Sequence, residues 1–397
     1  MYKKNRKGYY RANRLCYLLM GGYWLLTSFE GYISGTVGAL SRYYILVLIA
    51  YLAYSARYIE VTKIQIALAV WIIFYFTSLT WSMNREQGYM YLFSVVGMTA
   101  FLLLILGLHF EADFIEWCIK VICFSSFLLG ILGLFYSKPY GYAVSRQVLT
   151  LFGVQPDPNN LVALYASGAA IGLYKAFFEK GKWRLLYAGI FLVNAYDILM
   201  CGSRSGVVVL GALVCVTVLF RPLNEKHYVT WIRRIFIIFI LLISLMVMIK
   251  YLPEEVWSRI SGQDSNLAFT DSTGRTERWM TGIKLWWDTN PILGCGWGSY
   301  ECHGTFFTFL VDTGVVGILL FWGSVCIIAL KCIKQKNALA IMIMISGIIP
   351  ALLIGAQNKR FFWNAIIIPV MMINQIGVKD EGDSLPVSDQ IYIEKNI

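Results

Sequence analysis

Asp271-Ser272-Thr273-Gly274-Arg275-Thr276-Glu277-Arg278-Trp279-Met280 lies near the middle of 251–304, the longest segment of the chain that cannot sit in a lipid bilayer. Asn290-Pro291-Ile292-Leu293-Gly294-Cys295-Gly296-Trp297-Gly298 follows, and the segment closes on His303-Gly304. Apolar runs at about 235–252 and 305–330 flank it on either side. A polar stretch held between runs of membrane length marks a chain that is mostly embedded in lipid.

The composition agrees. Of the 397 residues, 58% are hydrophobic, 16% aromatic and only 14% charged, and the mean hydropathy is +0.62. Those values exclude a soluble globular protein of this size. A span needs roughly 17–25 apolar residues, and it must be helical because hydrocarbon offers its backbone no other partners. Further runs fall at about 15–30, 43–59, 64–82, 89–108, 114–136, 160–178, 185–200, 205–220, 338–356 and 361–376. The fold expected is all-α: a polytopic transmembrane bundle of about twelve helices with a long extracytoplasmic loop carrying short amphipathic helices.

The net charge of +11 is spread in short clusters between the apolar runs, so it reads as a topology signal and not as a face for nucleic acid. The basic N-terminus (Lys3, Lys4, Arg6, Lys7, Arg11, Arg14) precedes the first run without a clear cleavage site, which implies an uncleaved first span. With that end inside, the cytoplasmic loops collect Lys63, Lys175, Lys182, Arg184, Arg233, Arg234, Lys331, Lys334 and Lys336. Both termini are then expected in the cytoplasm. Loops 137–159 and 251–304 face outward, residues 1–378 form one membrane domain, and 379–397 form a disordered cytoplasmic tail.

Several outward residues suggest chemistry. Asp157-Pro158-Asn159-Asn160 and Gly202-Ser203-Arg204-Ser205-Gly206 read as helix starts, and free amides at such ends favour anions. Arg204, just inside a span, either completes an anion site or snorkels to lipid phosphates. Residues 273–289 read as a surface helix with Arg275, Trp279, Gly282 and Trp286 on one face and Arg278 at its margin. That face suits a phosphorylated sugar, or the helix simply lies in the headgroup belt. The glycines of 290–298 would let backbone approach a ligand closely.

His303 is the one histidine on the outer side in this topology, suited to taking a proton from a hydroxyl, with Glu301, Asp271 and Asp312 as neighbouring acids. Arg146, Lys359 and Arg360 are further outer cations. Cys295 and Cys302 share the loop, which leaves a disulfide between them open. No Asp-x-Asp, His-Glu-x-x-His or Gly-x-Ser-x-Gly occurs on that side, so neither a metal nor another cofactor is expected.

Taken in order, Gly274-Arg275-Thr276-Glu277-Arg278-Trp279, Asn290-Pro291-Ile292-Leu293-Gly294-Cys295-Gly296, His303 and Asp312-Thr313-Gly314-Val315-Val316-Gly317 resemble the signature of the O-antigen ligase and O-antigen or capsule polymerase family. Asp157-Pro158-Asn159 and Gly202-Ser203-Arg204-Ser205-Gly206 agree with it, so the resemblance covers roughly 145–325. It implies a bacterial inner-membrane glycosyltransferase, architecturally related to the C-type enzymes. Such an enzyme works without a metal on the extracytoplasmic face, using an undecaprenyl-diphosphate-linked oligosaccharide donor and a glycan acceptor. Arg204 and Arg275 match the arginines that engage the diphosphate, and His303 matches the loop histidine. Asp312 stands where many members carry glutamate, and a short loop after the fifth span leaves the acceptor open.

The expected activity is polymerisation of lipid-linked repeat units into a cell-surface polysaccharide, with inversion. The alternative is a ligase moving finished glycan to a lipid or protein. Catalysis is expected of His303, Arg275 and Arg204, and substrate binding of Arg278, Trp279, Trp286, Arg146, Asn159, Glu301 and Arg360. A flippase and a chain-length regulator are the protein partners such chemistry would need. A transporter is the competing class, but it should carry charges at mid-membrane and show related halves, whereas these charges gather at helix ends.

Overall fold

The computed structural model describes residues 10–37, 40–56, 58–141, 143–179, 181–220, 227–261 and 274–375. Asp271, the basic cluster at 3–7 and the tail at 379–397 lie outside them. Fourteen α-helices and one short hairpin make up the described chain. They are α1 (Arg14–Val37), α2 (Leu40–Ser55), α3 (Lys63–Thr77), α4 (Arg85–Leu106), α5 (Ala112–Tyr136), β1 (Ser137–Tyr140) and β2 (Ala143–Leu149). Then come α6 (Pro158–Phe178), α7 (Arg184–Met200), α8 (Arg204–Leu219), α9 (His227–Tyr251), α10 (Glu254–Ser261), α11 (Arg275–Thr289), α12 (Thr305–Lys334), α13 (Ala338–Leu353) and α14 (Arg360–Ile373).

Every apolar run expected from the sequence coincides with one of these helices. Among the described residues, six segments are long and apolar enough to cross a membrane: 63–81, 85–106, 112–136, 158–178, 228–251 and 305–334. Four further apolar helices are shorter. The largest boundary difference is α9, which starts eight residues before its expected run, at His227. Its first turns are held by charge: Arg233 and Arg234 reach back to the carbonyls of Phe220 and Leu219, each at 3.0 Å. An apolar run marks the part of a helix that tolerates lipid, and such guanidinium contacts extend the helix beyond it.

The helices alternate in direction. Tyr10 and Asn374 both bond the turn after α4, Tyr10 N–H to His109 O at 3.1 Å and Asn374 Nδ2 to Leu106 O at 3.2 Å, so both described ends lie at one end of the bundle. The Lys175 ammonium, 1% exposed, pairs there with Glu116 at 2.6 Å and with Glu179. The other end carries the starts of α6, α8, α12 and α14, the hairpin, α10 and α11. Helix α6 runs through the middle, with 72% of its most apolar window buried. Its small residues permit that: a Cβ on Gly172 would stand 2.9 Å from the backbone of both Tyr187 and Phe191 on α7.

Next to the site, α12 is broken and spliced. Gly314 has φ 59° and ψ −163°, which interrupts the helical hydrogen bonds. The loop before α12 fills the gap. Cys295 N–H donates to Val311 O (2.7 Å) and Gly296 N–H to Asp312 O (3.0 Å), while Val315 and Val316 donate to the carbonyls of Pro291 (3.1 Å) and Ile292 (3.2 Å). Each polar group that the break would orphan finds a partner in protein, the condition on which irregular backbone survives in a membrane bundle. The glycines of this loop therefore serve protein contacts where the sequence suggested a ligand. Cβ atoms on Gly294, Gly296 and Gly298, all at positive φ, would lie 2.4–2.6 Å from the backbone of Gly314, Ser82 and Gly88.

Asp312 closes the splice. Its buried carboxylate accepts from Tyr75 OH (2.7 Å) and from Gly298 N–H (3.1 Å), and Tyr75 stacks on Trp297 at 4.1 Å between centroids. Asp312 thus fastens α3, the loop and α12 to one another. Cys295 and Cys302 are both free and buried in one small apolar cluster, so they form no disulfide.

Candidate functional site

Two helix N-termini meet at the same end of the bundle. Asp157 caps α6, its Oδ1 accepting from the amides of Asn159 (2.8 Å) and Asn160 (3.4 Å), and Pro158 occupies the first turn. Asn159, 6% exposed, takes a hydrogen bond from Ser203 Oγ at 2.7 Å and donates Nδ2 to Asp157 Oδ1 at 3.1 Å. Ser203 in turn shares its hydroxyl with Ser205 at 2.7 Å. These bonds tie the start of α8 to the start of α6, so the positive ends of two helix dipoles converge.

Four arginines share the electrostatic neighbourhood of that junction. Arg204 is the first residue of α8 and Arg275 the first residue of α11. Burial lowers the Arg275 pKa, and Arg146 and Arg204 lower it further while Asp157 opposes them. Burial likewise depresses Arg146 on β2, again against Asp157. Both remain cations, since a guanidinium starts from so high a value. Arg146 Nε is buried with no hydrogen-bond partner among the described residues. Arg278 acts on His303 from α11, so the described residues gather Arg146, Arg204 and Arg275 near the Asp157 carboxylate that caps α6, with Arg278 beside the histidine.

One arginine here was not singled out in the sequence. Arg259 on α10 donates Nε to Gly202 O at 3.1 Å. Gly202 sits at φ 58°, where a Cβ would meet Ser145 O at 2.3 Å and Arg259 Cδ at 3.2 Å. Arg259 therefore clamps the turn that sets Arg204 beside Arg146. The signal was present in the spacing of Leu252, Val256 and Ile260, an apolar stripe that docks α10 onto Leu199 of α7 with Arg259 beside it.

His303 lies at the rim of the cluster with φ 52°, a left-handed backbone conformation uncommon for a non-glycine residue. Its pKa is lowered from 6.5, first by burial and then by Arg278; Glu301 raises it, Arg275 lowers it and Asp157 raises it. The imidazole is consequently neutral at pH 7 and able to accept a proton.

The apolar face of α11 does something different from what its periodicity suggested. The space over Gly282 is filled by Cys302, whose Sγ would be 2.3 Å from a Cβ there. Trp286 Nε1 donates to Pro291 O at 2.9 Å, and Trp279 packs on Phe307 at 5.1 Å between centroids. Both tryptophans brace the helix against the loop and α12. Trp279 Nε1 remains unpartnered among the described residues, which leaves it a donor to offer; Trp286 has spent its own. Arg360, 6% exposed, is ion-paired with Glu30 of α1 at the same end of the bundle. Among the described residues no cluster of His, Cys, Asp and Glu could hold a metal.

Arg275, Arg278 and His303 lie in a segment that resembles a known family. Residues 189–322 match the O-antigen ligase family. The matched stretch runs from within α7 to within α12, about a third of the chain, and contains Arg204, Arg259, Arg275, Arg278, His303 and Asp312. It supports the O-antigen ligase and polymerase family, and with it an integral membrane protein of polysaccharide biosynthesis. Arg146, Asp157 and Asn159 lie outside the O-antigen ligase match, so the site is completed from the preceding hairpin and α6. No curated protein matches the chain.

Proposed function

We propose that this protein is a metal-independent, inverting glycosyltransferase that joins undecaprenyl-diphosphate-linked oligosaccharide units into a surface polysaccharide. The observation that carries this reading is the gathering of arginines at two converging helix N-termini beside a histidine whose pKa is lowered. A diphosphate is the anion such a cluster suits: multiple oxygens for multiple guanidinium forks, in a place partly closed to water. The end that carries Lys63, Lys175, Lys182, Lys331 and Lys334 is taken as cytoplasmic by the positive-inside rule. The site then faces outward and the termini inward. Nucleotide sugars are scarce outside the bacterial inner membrane, which favours a lipid-linked donor.

In the reaction the acceptor hydroxyl attacks the anomeric carbon as the bond to the diphosphate oxygen breaks. The leaving undecaprenyl diphosphate keeps the electron pair, and Arg204, Arg275 and Arg146 stabilise the charge that develops on it. His303 takes the hydroxyl proton. Binding both partners at one end of the bundle supplies the orientation.

A ligase that moves finished glycan to another acceptor would use the same donor chemistry, and only the acceptor separates the two. In cells, Arg275→Ala and His303→Ala should each abolish long glycan while the protein still inserts at wild-type amounts. Normal chain length in both variants would remove these residues from the mechanism.

A further inference from the structure

Beside His303, and apart from the arginines, four planar polar side chains from its own loop and two other elements converge. Glu301 Oε2 accepts from Gln87 Nε2 at 3.1 Å and from Tyr91 OH at 3.5 Å, both on α4. The turn between α13 and α14 brings the fourth. A Cβ on Gly355 would stand 2.5 Å from Glu301 Oε1 and 3.5 Å from Gln357 Oε1, so the two oxygens crowd the same space. Gln357 is 2% exposed, and its Oε1 has no hydrogen-bond partner among the described residues. A buried amide oxygen left without a donor costs about 1–3 kcal/mol. Two acceptors that face one spot ask for a hydroxyl or amide hydrogen between them.

The placement is as informative as the chemistry. His303 is influenced by Arg278 and Arg275 and also by Glu301, whereas the influences on Arg275 are Arg146, Asp157 and Arg204 without Glu301. His303 follows Glu301 by two residues in the same loop, so the Glu301 group adjoins the histidine. Thr305 fixes the second group to the histidine segment: its Oγ1 donates to Ile354 O at 3.0 Å and accepts from Ala356 N–H at 2.8 Å. A carboxylate, two carboxamides and a phenol bring no positive charge, so this side disfavours phosphate and suits vicinal sugar hydroxyls.

Resting on the glycosyltransferase reading above, we propose that Glu301, Gln87, Tyr91 and Gln357 form the acceptor-sugar subsite, which presents an uncharged sugar's hydroxyls to His303 opposite the diphosphate. Gln357 Oε1 and Glu301 Oε1 together receive a hydroxyl hydrogen of that sugar. Gln87 and Tyr91 hold the Glu301 carboxylate in place from behind.

The test uses purified full-length protein, the lipid-linked oligosaccharide of the source cells as donor, and the same oligosaccharide freed from its lipid by mild acid as acceptor. Undecaprenyl diphosphate binding is titrated separately. In Gln357→Leu, Tyr91→Phe and Glu301→Gln, the acceptor KM should rise about tenfold or more while undecaprenyl diphosphate affinity stays at the wild-type value. Arg275→Ala should show the reverse pattern. An unchanged acceptor KM in all three variants, with wild-type protein transferring normally, would overturn the subsite alone. Parallel loss of undecaprenyl diphosphate affinity would overturn it by assigning the group to the donor. Wild-type protein that neither binds undecaprenyl diphosphate nor transfers overturns the subsite together with the function beneath it. Gln357→Met separates a binding role from a packing role, because it nearly keeps the volume and buries no charge: a binding role predicts a raised acceptor KM with a melting temperature no lower than wild type, and wild-type KM contradicts it.

Discussion

His303 ties the electrostatics of the site to a rate. Burial and the Arg278 charge hold its pKa below 6.5, and Glu301 pulls in the opposite direction. In the proposed reaction the neutral imidazole is the base, so activity is present above that depressed pKa and lost as pH falls through it. The acid limb of the rate profile should therefore lie below pH 6.5. Arg278→Ala removes a lowering influence and should move the limb to higher pH; Glu301→Gln removes a raising one and should move it to lower pH. A pH–rate profile on each variant checks both signs, and a limb that stays put in both would take the proton transfer away from His303. At this scale the cations were legible as outward residues, and the structure puts Arg146 and Arg204 near Arg275, and Arg275 and Arg278 near His303. Arg259 and Gln357 were not legible, because their meaning lies in a carbonyl and a vacant acceptor contributed by distant parts of the chain.

At the scale of elements, the two glycine-bearing motifs turn out to be halves of one joint. Asn290–Gly298 and Asp312–Gly317 exchange backbone hydrogen bonds across the break at Gly314, and Asp312 locks the joint to Tyr75. Sequence spacing gave the loop its irregularity but not its occupant, since glycine permits close approach to a ligand and to protein alike. The same limit applied to α11, whose face of Arg275, Trp279, Gly282 and Trp286 was visible as a stripe although its use as a packing surface was not. Asp312→Asn should lower stability by about 1–3 kcal/mol, because it disturbs the two buried hydrogen bonds that the Asp312 side chain accepts. Gly294→Ala, with its Cβ 2.5 Å from Gly314 N, should be worse. Thermal unfolding in detergent measures both, and a melting temperature equal to wild type in Gly294→Ala would contradict the joint.

For the whole molecule, the helical class and the position of each apolar run were readable because hydrocarbon leaves a lone chain segment no alternative to a helix. The direction of each helix follows from simple alternation, and it brings the starts of α6, α8, α12 and α14 to one end with the hairpin and α11. Helix α9 is the exception to close packing: only 6% of its most apolar window is buried, with its N-terminal turns held by arginine contacts and its C-terminal end anchored through Leu252 and Val256. The central claim is that this end of the bundle transfers sugar from a polyprenyl diphosphate without a metal. Purified protein incubated with polyprenyl-diphosphate-linked oligosaccharide in excess chelator, and resolved on a gel, tests it most directly. The account predicts a ladder of repeats with release of undecaprenyl diphosphate; unchanged substrate, or a ladder that disappears with chelator and returns with a divalent cation, would contradict it.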